Sequence, residues 1–315
     1  MREIQTKEII ETVSRLCVQA NCVLNGDVRG ALERGMACES CRVGREILGN
    51  LLENADIAAK ESIPICQDTG MAVFFVELGQ EAVVQGEIAE VDGEGAQQTD
   101  TPSGECAVQH AGRHAPDGAG ESLLTRAINE GVRRGYREGY LRKSVVADPL
   151  RRDNTGDNTP AVIHYDIVPG DRLKITFAPK GFGSENMSAL RMLKPSQGRE
   201  GVEQFVLETV TAASSNPCPP IVVGVGIGGT FEKAAQLAKR ALTRPVGSHH
   251  IDPYYAELED SLLRQINALG IGPQGFGGDT TALGVNIETF PTHIAGLPVA
   301  INISCHVTRH LTAEL

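Results

Sequence analysis

Tryptophan is absent from this 315-residue sequence, and aromatic residues of all kinds make up only 4% of it. Proteins that bind single-stranded nucleic acids stack the bases on aromatic side chains, so the composition speaks against that function. Positive charge is also scarce, because 29 lysines and arginines face 40 aspartates and glutamates, for a net charge of −11. A net negative charge repels the phosphate backbone. We therefore expect no nucleic-acid partner.

Long apolar runs are missing as well. No stretch approaches the about 20 apolar residues that a membrane helix needs, and the opening residues MREIQ lack the apolar run of a secretory signal. We therefore expect no membrane association and a cytoplasmic location. With 41% hydrophobic and 22% charged residues, the composition is typical of a globular protein, either one large domain or two lobes with an extensive interface.

Apolar periodicity predicts a mixed α/β fold. Apolar residues recur at three- and four-residue steps in residues 4–24 and 43–59, which predicts two helices, and an apolar run at 71–78 predicts a buried strand. A second, partly exposed strand is predicted within 81–91. The same reasoning predicts helices from residue 123 and over 202–213, 231–242 and 254–269, and strands over 221–226 and 299–304.

Two further segments complete this outline. Residues 161–168 and 172–178 alternate apolar and polar side chains around a Pro-Gly-Asp turn, which predicts a β-hairpin. Residues 92–120 are polar and lack periodicity, which predicts an insertion. We interpret residues 1–315 as one α/β (mixed α+β) domain with a helical lobe over about 1–60 packed on a sheet-containing lobe over about 61–315.

Eight cysteines occur without a secretion signal, which favours free thiols or metal ligands over disulfides. Cys66, Cys218 and Cys305 each lie at a predicted strand or helix end, next to turn-forming residues. At such ends, free backbone amides can donate hydrogen bonds to cluster sulfurs. Position alone is equally compatible with inert buried cysteines, because free cysteine is among the most buried residue types.

The other cysteine patterns are weaker. Cys38 and Cys41 form a single C-x-x-C, and no second pair follows that would complete a zinc site. We favour a structural role for this pair. Cys106 lies near His110 and His114 and could bind metal adventitiously, but a flexible polar loop is the better interpretation.

A glycine-rich stretch, GVGIGG at residues 224–229, offers a rival function. It satisfies G-x-G-x-x-G after a predicted strand and before a predicted helix, as a dinucleotide-binding turn does. The following segment (VGSHH) is not a strand that ends in an acidic residue, which argues against a dinucleotide. A nucleotide-dependent oxidoreductase remains a distant alternative.

Three polar features are candidate anion contacts. The loop KGFGSEN at residues 180–186 combines a cation, flexible backbone, a hydroxyl and an amide, although a strand-to-helix turn with a capping side chain explains it equally well. Arg151 and Arg152 precede NTGDN and could clamp a carboxylate, although exposed arginines are usually solvated. His293 is a candidate proton donor, but a lone histidine is more often structural.

Five motifs taken together give a specific resemblance. They are PICQDTG at 64–70, NTGDNTPA at 154–161, KGFGSEN at 180–186, NPCPPIVVGVGIGGT at 216–230 and GLPVAINISCH at 296–306. In this order they resemble the alpha subunit of the class I (iron-sulfur) fumarate hydratase and L-tartrate dehydratase family. The resemblance covers nearly the whole chain outside residues 92–120.

The resemblance implies a function and a site. It implies that Cys66, Cys218 and Cys305 hold a [4Fe-4S] cluster with one iron not ligated by protein, and that this iron acts as a Lewis acid on a small dicarboxylate. It implies catalytic roles for Asp68 and His293. The substrate contacts that it implies are Gln67, Asp68, Arg152, Lys180, Gly181, Gly183, Ser184 and Asn186.

The resemblance also implies a partner. The family's beta portion, which supplies the proton-abstracting base, has no counterpart in this sequence, so we expect a separate beta subunit, in an α2β2 heterotetramer. The expected reaction is the reversible hydration of fumarate to malate, with the dehydration of L-tartrate to oxaloacetate as the alternative. A cluster-bearing sensor or assembly protein without turnover is a third possibility.

Overall fold

The computed structural model describes residues 1–88 and 120–315. The predicted insertion at 92–120 lies outside the described residues, apart from its last residue. The described residues form a mixed α/β structure, which confirms the predicted fold class. The helices are α1 Thr6–Cys22, α2 Gly26–Cys38, α3 Arg42–Glu61, α4 Leu123–Glu138, α5 Phe182–Glu185, α6 Gly198–Ala213, α7 Phe231–Ala241 and α8 Pro253–Asn267.

The strands form three sheets. They are β1 Arg2–Gln5, β2 Val73–Gly79, β3 Ala82–Gln85, β4 Val162–Val168, β5 Leu173–Phe177, β6 Ala189–Leu193, β7 Ile221–Gly228, β8 Ala282–Phe290, β9 Leu297–Ser304 and β10 Leu311–Glu314. β1 pairs with β3 in parallel; the first four-stranded sheet has the order β10-β5-β2-β4, and the second has the order β6-β9-β7-β8. The predicted helices and most predicted strands are confirmed, whereas α2, α5, β1, β6, β8 and β10 were not predicted.

The predicted hairpin over 161–178 is wrong. β4 and β5 do not pair with each other, because β2 lies between them, parallel to β4 and antiparallel to β5. The turn after β4 passes over the end of β2, where the Gly79 amide donates to the Arg172 carbonyl at 2.8 Å and the Glu81 amide donates to the Gly170 carbonyl at 2.9 Å. The apolar start of β2, VFFV, is fully buried, so this strand takes the central place in the sheet.

Helices cover both faces of the second sheet. Alternate residues of β7, including Val223 and Val225, pack on α6 and α8 in one apolar cluster. On the opposite face, α7 contributes Ala234 and Ala238, which pack against Ala300 of β9. The first sheet is covered by α1 and α4, while α2 and α3 form a further cluster that reaches the end of β7.

No helix in the described ranges is long and apolar enough to cross a membrane. Two helix starts follow ordinary capping rules. The Ser122 side chain accepts a hydrogen bond from the Thr125 amide at the start of α4, and the Asp252 carboxylate accepts one from the Tyr254 amide at the start of α8. Local sequence signals therefore fix the boundaries of these two helices.

Candidate active site

Cys66 lies in the loop between α3 and β2. The buried side chain of Ile65 anchors this loop, and its backbone is bonded on both sides, since the Ile65 amide donates to the Asn21 carbonyl at 2.9 Å and the Asn54 side chain donates to the Ile65 carbonyl at 2.9 Å. The Asp68 amide donates to the Cys66 sulfur at 3.4 Å. The Cys66 thiol is therefore held in place and half-buried.

Cys218 and Cys305 lie at the same end of the second sheet. Cys218 precedes β7 and has a φ of 54°, and Cys305 directly follows β9, the antiparallel neighbour of β7. The two loops are bonded to each other, because the His306 amide donates to the Cys218 carbonyl at 3.4 Å and the His306 ring nitrogen Nδ1 lies 3.0 Å from the same oxygen. Strand pairing thus brings together two cysteines that are distant in sequence.

The three thiols share one electrostatic environment. Burial raises the pKa of the Cys218 thiol, and the neighbouring Cys305 and Cys66 thiols raise it further. Burial also raises the pKa of Cys305, while the cations Arg309 and Lys180 oppose that shift. All three thiols are free. The three predicted cluster ligands therefore lie near enough to one another to influence each other's ionisation.

Two features of the site concern metal binding. Among residues 1–88 and 120–315, no group of three His, Cys, Asp or Glu side chains is close enough to hold one metal ion. The site also supplies the hydrogen bonds that cluster sulfurs accept, in the Asp68 amide at Cys66 and the Val307 amide at Cys305.

Asp68 joins the first cysteine loop to the KGFGSEN segment. Its carboxylate accepts a hydrogen bond from the Gly70 amide at 3.1 Å and one from the Phe182 amide at 2.9 Å. Gly181 belongs to the same contact, since a side chain there would meet the Asp68 carboxylate at 3.2 Å. The structure therefore places predicted site residues from two distant motifs next to each other.

Two buried side chains brace the loop that follows Asp68. The hydroxyl of Tyr136, on α4, donates towards the Thr69 and Gly70 carbonyls at 2.8 and 3.0 Å. The Asn158 amide donates to the Gly70 carbonyl at 3.3 Å and its side-chain oxygen accepts from the Ser144 amide at 2.7 Å. Through Asn158, the NTGDN motif therefore holds the loop that follows Cys66 in place.

Lys180 and Ser184 form a buried polar pair. The Lys180 ammonium donates to the Ser184 hydroxyl at 2.9 Å and lies 3.3 Å from the Glu185 carboxylate, which also pairs with Lys239 of α7. Burial lowers the pKa of Lys180 to about 8, while Glu185 acts in the opposite direction. Burial disfavours ionisation of Glu185, yet Lys180 and Lys239 lower its pKa overall. The ammonium of Lys180 thus points into the protein in this chain.

The remaining predicted substrate contacts are spread around this centre. Gln67 is exposed beside Cys66, and Gly183 lies in α5 near the Asn216 carbonyl, close to the Cys218 loop. Asn186 is the residue that follows α5. Arg152 is exposed, with a φ of 70°, and its amide donates to the Asp148 carbonyl at 2.9 Å.

His293 is not brought together with the three thiols. It is exposed in the connection between β8 and β9, where the neighbouring Thr292 hydroxyl donates to the Gly229 carbonyl at 2.9 Å. That connection lies at the opposite end of the second sheet from Cys218 and Cys305. The eight residues of β7 separate the two ends by roughly 25 Å.

The glycine-rich stretch has a packing role. Gly224 and Gly226 lie inside β7, and a Cβ at either position would come within 2.1 Å of a backbone carbonyl of α7. Only Gly228 and Gly229, with φ values of 93° and 70°, form the turn into α7. The first two glycines of the motif therefore let a helix approach a strand, and they are not part of a phosphate-binding turn.

Two cavities lie away from the thiols, along α6. One, of about 680 Å³, is lined by side chains such as Glu200 and Glu203, and the other, of about 430 Å³, by Asn186, Phe205 and their neighbours. Neither is lined by a cysteine.

Sequence reasoning missed three residues that organise the site. Tyr136 and Asn158 hold the loop after Cys66, and Arg309 donates to the Asp68 carbonyl at 2.8 Å. Arg309 follows Cys305 by four residues, so its proximity to a candidate ligand was a usable signal. Nothing local marked Tyr136, which reads as an ordinary apolar position of an amphipathic helix.

Comparison with known proteins identifies the family of this chain. The family described as Fumarate hydratase (Fumerase) matches residues 10–103 and 107–314. The chain belongs to this fumarate hydratase family. It is accordingly a hydro-lyase.

Individual members of the fumarate hydratase family resemble the chain over almost its full length. A provisionally named L(+)-tartrate dehydratase subunit alpha of Methanocaldococcus jannaschii is 41% identical over 307 residues, which cover 96% of this chain and 95% of the relative. The L(+)-tartrate dehydratase subunit alpha of Escherichia coli (strain UTI89) is 32% identical over 320 residues, or 98% and 91% of the two chains. That of Shigella sonnei is 31% identical, covering 97% and 90%.

Proposed function

We propose that this chain is the alpha subunit of a [4Fe-4S]-dependent hydro-lyase for a four-carbon dicarboxylate. Cys66, Cys218 and Cys305 would hold the cluster, with one iron not ligated by protein. The observation that carries the proposal is the proximity of three free thiols from distant segments, which influence each other's ionisation. When bound, the cluster would supply a Lewis-acid iron that polarises the hydroxyl group of the substrate.

The chain's own residues then divide into two roles. Asp68 lies beside the first ligand and its carboxylate is fixed by two amides, so it would handle the proton of the departing hydroxyl group. Exposed Gln67 and the backbone around Gly181 and Gly183 would bind the substrate carboxylate and stabilise the charge that develops on it. Arg152 and Asn186 would provide outer contacts.

Lys180 and Ser184 act differently in this proposal. Because the Lys180 ammonium bonds inward to Ser184 and Glu185, it would shape the loop and contribute positive charge without touching the substrate directly. His293 is not part of the proposed site, since it lies at the other end of the second sheet.

The relatives favour L-tartrate as the substrate. Three of them carry the name L(+)-tartrate dehydratase subunit alpha. The family is described as Fumarate hydratase, which makes fumarate the second candidate. L-tartrate has one hydroxyl group more than malate. A site with polar groups that bind this extra hydroxyl group discriminates strongly against a substrate that lacks it, because those polar groups would then stay unpaired.

The proposal includes a beta subunit in an α2β2 assembly, which would supply the base that removes the C3 proton. The relatives' names as alpha subunits support a partner of this kind. It also includes one domain over 1–315, with a helical lobe over about 1–60 packed on a sheet-containing lobe, and a cytoplasmic location. The free cysteines of the described residues are compatible with that reducing compartment.

Anaerobic reconstitution tests the cluster. We expect about four irons per wild-type chain, lost in Cys66→Ala, Cys218→Ala and Cys305→Ala, and retained in the control Cys38→Ala. Cys38 is an exposed free thiol outside the site, so this control separates ligation from general thiol loss. A folded wild-type chain without iron, or a cluster indifferent to the three substitutions, would contradict the proposal.

Turnover by the chain co-produced with its beta subunit tests the substrate. We expect conversion of L-tartrate to oxaloacetate with a higher kcat/KM than the hydration of fumarate. The reverse preference would make fumarate the substrate, and a loaded complex that is inactive towards both would favour the sensor interpretation.

A further inference from the structure

Arg309 is a buried cation beside the three thiols. It lies in the segment between β9 and β10, four residues after Cys305, and is only 6% exposed. Its Nη2 donates to the Asp68 carbonyl at 2.8 Å, so it reaches from the end of the second sheet to the loop of Cys66. One guanidinium thus contacts the segments of two cluster-ligand candidates.

This guanidinium has no carboxylate partner among the residues that the structure describes. Its Nε is buried and has no hydrogen-bond acceptor there. Arg244 provides a contrast, since its guanidinium pairs with the buried Glu259 carboxylate at 2.8 Å. A buried charge without a counter-ion is costly, so proteins rarely retain one unless an anion binds nearby.

The groups that face Arg309 indicate which anion it can pair with. They are the Cys22 and Cys305 thiols, the Tyr136 hydroxyl, the His306 ring and Asp68. The Asp68 carboxylate is already bonded to two amides, and only the Asp68 carbonyl accepts from the guanidinium. The negative charge available to Arg309 is therefore that of the cysteine ligand set.

We propose that Arg309 is the internal counter-charge of the bound cluster and the residue that positions the Cys66–Asp68 turn against it. The inference rests on the proposed function, because the anion is a cluster held by thiolates. Cationic groups and hydrogen bonds around a cluster stabilise its more reduced state and so raise its reduction potential. Arg309 is a positioning residue in this scheme and does not contact the substrate.

The proposal makes opposite predictions for the two states of the protein. In the cluster-free chain, Arg309→Met removes a buried unpaired charge together with the hydrogen bond to the Asp68 carbonyl. Relief of the buried charge should offset the lost hydrogen bond, so the unfolding temperature should not fall. In the reconstituted chain it removes an attraction, so the increase in unfolding temperature on loading should be smaller than in wild type. The midpoint potential of the cluster should shift to a more negative value.

Two further variants make the test specific. Arg309→Lys keeps the charge and should retain most of the wild-type potential. Arg244→Met leaves Glu259 buried without its partner, so it should lower the unfolding temperature of both states equally and leave the potential unchanged.

The outcomes separate this inference from the proposed function. A wild-type chain that takes up no cluster would overturn both. If the wild type binds the cluster, but the Arg309→Met variant shows the same increase in unfolding temperature on loading and the same midpoint potential, only the counter-charge proposal is overturned. An Arg309→Met chain that fails to fold without the cluster would also overturn it, because Arg309 would then stabilise the protein itself.

Discussion

Lys180 has surroundings that are unusual for a lysine. Lysine is seldom fully buried, yet this side chain is 7% exposed and bonded to Ser184 and Glu185. Burial lowers its pKa to about 8, so its charge is lost from the folded protein well before it is lost from an unfolded chain. The site therefore contains a cation that titrates near the upper end of the physiological range.

This shift predicts a pH dependence of stability. Between pH 8 and 10.5 the unfolded chain binds more protons at Lys180 than the folded chain, so the free energy of unfolding should rise with pH. Relative to Lys180→Met, which cannot titrate, the cluster-free wild type should gain on the order of 1–3 kcal/mol across this window. Urea unfolding at several pH values measures the difference.

Lys174→Met is the matched control for this experiment. Its ammonium also pairs with a glutamate, Glu77 at 3.1 Å, but the side chain is 43% exposed. Wild type and Lys180→Met curves that stay parallel from pH 8 to 10.5 would show that the Lys180 ammonium is not desolvated as described.

At the scale of elements, glycines in β7 let α7 pack closely on the strand that follows Cys218. β7 presents glycine at two positions beneath the helix, where a Cβ at Gly226 would lie 2.1 Å from the Ala234 carbonyl and 2.5 Å from the Ala238 amide nitrogen. The helix can therefore lie directly on the strand. The other end of α7 carries Lys239, which pairs with Glu185 of the KGFGSEN segment.

Gly226→Ala should consequently destabilise the protein. The new methyl group meets backbone atoms that cannot rotate away, so helix and strand must separate, at a cost of about 1–3 kcal/mol or more. Chemical unfolding of the cluster-free chain gives the value. Gly26→Ala is the control, because nothing lies within 4 Å of a Cβ there and the change should be neutral or slightly stabilising. Equal effects of the two substitutions would refute the packing role.

At the scale of the whole molecule, the site depends on how the two four-stranded sheets are joined. Cys66 belongs to the segment that enters the first sheet, whereas Cys218 and Cys305 belong to the second. Arg240 of α7 links the two, pairing with Asp166 at 2.7 Å and Glu77 at 3.4 Å, over the ring of Phe75.

Loss of this link should weaken the junction. We expect Arg240→Met to lower the free energy of unfolding by about 1 kcal/mol, and less at high salt, because part of the effect is a screened ion pair. Arg42→Met removes an exposed i,i+4 pair with Glu46 within one helix and should cost less than about 0.5 kcal/mol. Denaturant unfolding at low and high salt measures both losses. Equal losses and equal salt dependence in the two variants would contradict the role of Arg240 as a link between the sheets.

The sequence by itself determined the elements whose signals are local. Apolar periodicity predicted α1, α3, α4, α6, α7 and α8, because a helix that covers a core must repeat its apolar face every three to four residues. The buried strands β2, β7 and β9 were equally visible as apolar runs. The five motifs also identified the family, since their order is specific even where no single one is.

Only the tertiary structure decided how distant segments meet. Alternation in β4 and β5 indicated a hairpin, but β2 separates them, because strand pairing is settled by burial of the most apolar strand and not by proximity in sequence. The role of Arg309 could not be interpreted from its sequence neighbours, because it depends on the Asp68 carbonyl, 241 residues away in the sequence, and on the nearby thiols. Pairing, burial and charge compensation are non-local quantities, and a linear pattern does not contain them.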